Sequence, residues 1–161
     1  VVDRYEPVRY EAAVVALREE AKGVKEIGAQ NRGPQIDIYK ARAHSPKSAN
    51  HEWCGFFVYY CLSEAANKFG VPLPFIPEKL WSGYKLTKWA NENPDCIVRT
   101  SPCYPGDIYV MKNGHIGIVV SQGPGTIVHT VDGNQSQMNR GYSLKQRTRN
   151  IVDMRVIIRI V

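Results

Sequence analysis

A chain of 161 residues with 43% apolar and 22% charged residues has the size and composition of one globular domain with a proper hydrophobic core. No stretch approaches the roughly 20 consecutive apolar residues needed to cross a bilayer, so no membrane span is expected. The formal net charge of +6 and a pI near 9.2 favour polyanionic surroundings such as nucleic acid, anionic lipid or an acidic cell-wall polymer.

The basic residues are scattered, however. The one cluster, Lys145 to Arg149, reads as a solvated strand edge or loop, and no nucleic-acid partner is expected. The chain opens Val1-Val2-Asp3-Arg4, without the basic and apolar regions of a signal peptide and without an initiator Met. It is read as a processed chain or a domain from a longer one, a single catalytic domain over 1–161 with residues 1–8 a linker remnant.

Tyr10, Ala13, Val14, Leu17 and Ala21 recur at helical spacing behind Pro7, which predicts a first helix with that face inward. Asn31-Arg32-Gly33-Pro34 gives a turn with Pro at the first position of a short second helix running to about Ala43, followed by a polar loop from His44 to Asn50. From Glu52 the pattern is the strongest in the chain. Cys54, Phe57, Val58, Cys61, Leu62, Ala65 and Phe69 follow a 3.6-residue period and Gly70 ends it, predicting a buried central helix. Val71-Pro72-Leu73-Pro74 cannot be helical, and Glu78 to Asn91, with Trp81 and Trp89, predicts a further helix.

After Pro105-Gly106 the period changes to two. Asp107–Lys112, His115–Ser121, Thr126–Asp132, Tyr142–Arg149 and Met154–Val161 read as strands, separated by Asn113-Gly114, Gly123-Pro124-Gly125, Gly133-Asn134 and Asn139-Arg140-Gly141. Helices first and an antiparallel sheet afterwards predicts an α+β fold.

Four cysteines stand at positions 54, 61, 96 and 103, which fits no CxxC-type zinc pattern, and no metal site is expected. Cys96 and Cys103 either pair in an oxidising compartment or remain free thiols. Cys54 opens the central helix, where free N–H groups and the positive dipole end stabilise a thiolate; it is the candidate nucleophile. Cys61 lies two turns on, away from that end, and is assigned to the core. His115 begins a strand, with Gly117 on the same face leaving room above it. It is the candidate base.

A hairpin centred on Gly123-Pro124 places His115 directly opposite Asp132 and His129 opposite Ile118 on the other face. Asp132 is therefore the candidate orienting carboxylate. Asn134 either assists it or shapes the Gly133-Asn134 turn. His44 and His51 fall in the loop before Cys54, within reach of a substrate in the case of His51, though a solvated loop residue is the plainer reading. The backbone N–H of Cys54 is the expected oxyanion donor.

These residues resemble the CHAP (cysteine, histidine-dependent amidohydrolase/peptidase) domains, relatives of the NlpC-type cell-wall hydrolases in the papain-like class. The resemblance runs from Gly23 to about Arg149. It is carried by Glu26-Ile27-Gly28 with Asn31-Arg32-Gly33-Pro34, then Glu52-Trp53-Cys54-Gly55-Phe56-Phe57-Val58, Pro105-Gly106-Asp107-Ile108, Gly114-His115-Ile116-Gly117 and Val131-Asp132-Gly133-Asn134. It implies a papain-like α+β fold and hydrolysis of an amide in bacterial peptidoglycan through a Cys54 thioester, by an N-acetylmuramoyl-L-alanine amidase or a stem-peptide or cross-bridge endopeptidase, without metal or organic cofactor. It also implies a secreted, periplasmic or cell-wall-delivered protein of phage or bacterial origin, with an immunity protein or a carrier or tail component as partner if the chain belongs to a toxin or phage. The family usually carries Glu where this chain has Asp132. The alternatives are a transamidase or acyltransferase using the same Cys/His site, and a catalytically inactive cell-wall binding module.

Overall fold

The computed structural model describes residues 2–46, 49–100, 102–137 and 141–161, the side chains of 134–137 excepted. It is an α+β fold, with four α-helices and a five-stranded antiparallel sheet among the described residues. The helices are α1 (Glu6–Ala21), α2 (Pro34–Arg42), α3 (Cys54–Phe69) and α4 (Gly83–Glu92). The strands are β1 (Ile108–Met111), β2 (Ile116–Gln122), β3 (Ile127–Gln137), β4 (Gly141–Asn150) and β5 (Met154–Ile158), in spatial order β4-β3-β2-β1-β5. No described helix is long and apolar enough to cross a membrane.

The period-two strands alternate between two cores, as a two-sided sheet must. Ile108, Val110, Ile116, Ile118 and Val131 join the helices in the larger core, while Tyr109, Val119 and Val128 form a smaller one with Cys103, Met154 and Ile157. The opening stretch of the chain contributes Tyr5 and Val8 to the larger core. All four cysteines are buried free thiols.

The inward face of α1 differs from the one the apolar spacing predicts. Val8, Ala12, Val15 and Ala16 are buried together with the expected Ala13, whereas Tyr10, Val14 and Leu17 are exposed. The inner stripe carries two polar residues whose bonds fix it there. Arg9 donates to the Ile160 carbonyl at 2.6 Å, and Glu19 accepts from the Tyr39 hydroxyl at 2.9 Å. Phe69, at the end of α3, is likewise exposed rather than buried, because the helix outruns the core before Gly70 ends it in the left-handed conformation.

The helix expected over Glu78–Asn91 is broken in two. A 3-10 turn covers Pro77–Leu80, and α4 restarts after Ser82, whose side chain caps it by accepting from the Lys85 N–H at 3.1 Å. That break lets the Leu80 carbonyl sit on Gly55 in the first turn of α3, where a methyl group would overlap it. The packing sets Trp81 and Ser82 beside the start of α3. Strand β3 also runs on through Gly133 and Asn134, where a turn was expected, with an irregularity between Asp132 and Gln135 as it pairs with β4. The expected turn at Asn139-Arg140-Gly141 lies partly outside the described residues, and Gly141 itself opens β4.

Gly55→Ala should therefore lower stability by about 1–3 kcal/mol or more, since backbone, not a flexible side chain, meets the added methyl. Thermal denaturation measures this, and an unchanged midpoint would contradict the packing described.

Candidate active site

Cys54 is the first residue of α3, and its backbone N–H is among those with no partner inside the helix. The first bond of the helix runs from the Phe57 N–H to the Trp53 carbonyl at 3.0 Å, and no side chain caps this end among the described residues. Trp53 is held by the ring of Tyr39, stacked at 6.3 Å, and by its Nε1 donating to Glu26 at 3.4 Å. The start of the helix is thus rigidly seated.

His115 lies just before β2, where its N–H donates to the Asn113 side chain at 3.0 Å. Cys54 and His115 line one cleft of about 830 Å³, and the thiol stands near enough to the ring to favour its protonated form. On its other side, His115 Nε2 stands 3.4 Å from Asp132 Oδ2. That is an ion-pair contact longer than a tight hydrogen bond.

The route by which Asp132 reaches His115 differs from the expected one. β2 and β3 pair Ile118 with Val131 and Val119 with Thr130, then shift so that Ser121 meets His129. The register is two residues off the symmetrical hairpin, which places Asp132 level with Gly117 and not with His115. An even displacement keeps the side chain on the same face. The bare Gly117 then makes room, since a methyl group there would overlap both Asp132 Oδ1 and the Tyr109 hydroxyl. His129 is exposed and paired with Ser121 rather than Ile118.

Asp132 has no exposed surface. Its Oδ1 accepts a hydrogen bond from the Tyr109 hydroxyl, and its Oδ2 accepts from Arg149 Nε at 2.9 Å and Nη2 at 2.6 Å. Burial works against the ionised form, but His115, Arg149 and Tyr109 outweigh it and hold the carboxyl below the usual carboxylate value. Burial likewise works against a charged His115. Its bonds to Asp132 and Cys54 prevail and push its pKa up to about 9, so the ring is an imidazolium at neutral pH.

Cys61, in the middle of α3, is fully buried, and burial raises its thiol well above the ordinary value, as suits a core residue. His51 lines the cleft and packs against Trp81 at 5.9 Å, whereas His44 lies apart beside Glu78 at 3.8 Å. The side chain of Asn134 lies outside the described residues. Sequence reasoning missed Tyr109 and Arg149, whose contacts depend on register across three strands, and the aromatic rim residues Tyr84 and Tyr142. Among the described residues no group of three or more His, Cys, Asp or Glu side chains is placed to hold a metal ion. No protein-family model, curated protein or solved structure matches this chain.

Two outcomes follow from the geometry. Gly117→Ala should displace the Asp132 carboxylate and uncouple it from His115; a variant whose His115 titrates as in the parent would contradict the packing over Gly117. Because the folded-state pKa of His115, about 9, lies above the unfolded value near 6.5, its contribution to stability is complete below about pH 6.5 and is lost as pH rises through about 9. Between pH 7 and 10 the parent protein should therefore lose more stability than His115→Gln, as chemical denaturation would reveal; parallel losses would refute the pairing.

Proposed function

We propose that this protein is a cysteine amide hydrolase, papain-like in layout, with Cys54 as nucleophile, His115 as acid and base, Asp132 as orienting carboxylate, and bacterial peptidoglycan as substrate. The observation that carries the proposal is the joining, at one cleft, of a helix-start thiol to an imidazole backed by a buried, ionised carboxylate. Such a constellation activates a nucleophile. It is recognised by geometry and role rather than by sequence position.

An imidazolium beside Cys54 stabilises the thiolate, as do the dipole and N–H groups at the start of α3. The thiolate attacks the amide carbonyl, and the oxyanion forms near the Cys54 N–H. His115 donates its proton to the departing amine, leaving an acyl-thioester on Cys54 and a neutral ring. Water then attacks the thioester while His115 takes its proton, and collapse of the adduct breaks the C–S bond, releasing the carboxylic product and restoring the Cys54 thiolate beside a protonated His115. Asp132 holds the ring through both transfers. Peptidoglycan is favoured by the CHAP-like motifs and by the net charge of +6, which suits an acidic wall polymer.

Digestion of purified peptidoglycan, with mass spectrometry of the fragments, tests the proposal and identifies the bond. Peptides with an intact N-terminal L-alanine would mean an amidase, and truncated stems an endopeptidase. Cys54→Ser should be silent while keeping its thermal midpoint, and Asp132→Asn should lose roughly two to four decades in rate. Activity should fall as pH rises past about 9, where His115 loses the proton owed to the leaving amine. A folded parent protein that releases nothing would sink the hydrolase reading in favour of a binding module, and products joined to an added amine would replace it with a transamidase.

A further inference from the structure

Within the basic run Lys145 to Arg149, the last residue is turned inward. Arg149 Nε and Nη2 both donate to Asp132 Oδ2, the same oxygen that His115 Nε2 approaches at 3.4 Å. Two cations thus share one oxygen of a carboxylate that has no exposed surface. The Arg149 side chain is 22% exposed and also lines the cleft.

We propose that Arg149 is a positioning residue that acts through Asp132, keeping the carboxylate ionised and in place whether or not His115 carries a proton, and limiting how firmly the imidazolium is held. The inference rests on the roles proposed above for Cys54 and His115. In that reaction the ring gives up its proton to the leaving group and recovers it from water. Were His115 the only cation on Asp132, each proton departure would strand an uncompensated charge in the interior, which is strongly unfavourable. With Arg149 in place the carboxylate is neutralised in both states. A guanidinium serves this better than a hydroxyl or an amide, because it stays charged at every working pH.

Several other groups face the pair. Tyr109 approaches from β1, and its hydroxyl proton is held to Asp132 by burial and by the carboxylate itself. Cys54 approaches from α3, and Lys145 on β4 stands opposite Asp132. Arg155, Glu52 and His51 line the same cleft. Of these, only Tyr109 shares the carboxylate with Arg149 and His115 at hydrogen-bond or ion-pair distance.

Histidine-ring NMR titration of the intact chain separates this proposal from the one it rests on. Arg149→Gln removes the charge while keeping a donor, and should move the His115 midpoint upward by about one pH unit or more. Arg149→Lys restores the charge and should stay within about half a pH unit of the parent. The high-pH limb of kcat/KM on peptidoglycan should move with the midpoint, which a merely structural role for Arg149 would not bring about. Should Arg149→Gln fail to fold, Arg149→Met, which keeps the aliphatic stem, takes its place. An unchanged or lowered midpoint in the uncharged variant, or a lysine variant that moves as far as the uncharged one, would overturn the role of Arg149. Cys54→Ser, titrated alongside, should lower the same midpoint by removing the thiolate. If it does not, the Cys54–His115 pair and the hydrolase reading fail, whatever the Arg149 variants do.

Discussion

A carboxylate with no exposed surface governs the geometry of this cleft. Removing an ion such as Asp132 from solvent costs several kcal/mol even after relaxation, so the group persists only because partners from three directions meet it. Tyr109 comes from β1, His115 from the entrance to β2 and Arg149 from β4. The sheet order β4-β3-β2-β1 places Asp132 among them. A slip of β3 by one residue would turn the carboxylate to the helical face and leave all three partners without it. The charge that aligns His115 therefore also specifies the register of the sheet.

Helix α3 is tied to this arrangement by packing rather than by charge. Ile116, next to His115, lies in the larger core with Phe56, Phe57 and Val58 of α3. The ring cluster of Tyr39, Trp53, Phe57 and Tyr60 fixes the orientation of the helix. At the far side of the sheet, Arg159 holds the buried Asp107 at 2.7 Å and anchors the turn that leads into β1. Cys54 and His115 are thus presented by two elements that share one core, so their placement is set by the fold itself.

What was legible in the sequence was local. The 3.6-residue period from Cys54 and the stop at Gly70 lie in one segment, and alternation marked all five strands. What failed was non-local or depended on one polar contact. The inner face of α1 could not be read because two apolar stripes compete, and bonds to Ile160 and Tyr39, distant in sequence, decide between them. The break at Ser82 rests on one capping bond. The β2–β3 register was displaced by two residues. Asp132 kept its face because that displacement is even, whereas His129 fell beyond the irregularity and took a different partner. Arg149 carried no signal at all, since a basic residue on β4 looks the same whether it meets solvent or a carboxylate on β3.

The length of the carboxylate side chain follows from the same constraints. Asp132 is shorter by one methylene than a glutamate at the same place would be. The space above Gly117 is filled by the Tyr109 hydroxyl and Asp132 Oδ1, and Arg149 closes on Oδ2. An extra methylene would have to displace one of these partners in an interior packed to crystal-like density. The shorter side chain fits, at the expense of a 3.4 Å separation from His115. That separation weakens the hydrogen bond more than the Coulombic attraction, because the former falls steeply with distance and angle whereas the latter declines only as 1/r. Asp132 still bears on His115 both as a hydrogen-bond partner and through its charge, and the place of the residue is also set by its own N–H, which donates to the Asn113 side chain at 3.0 Å.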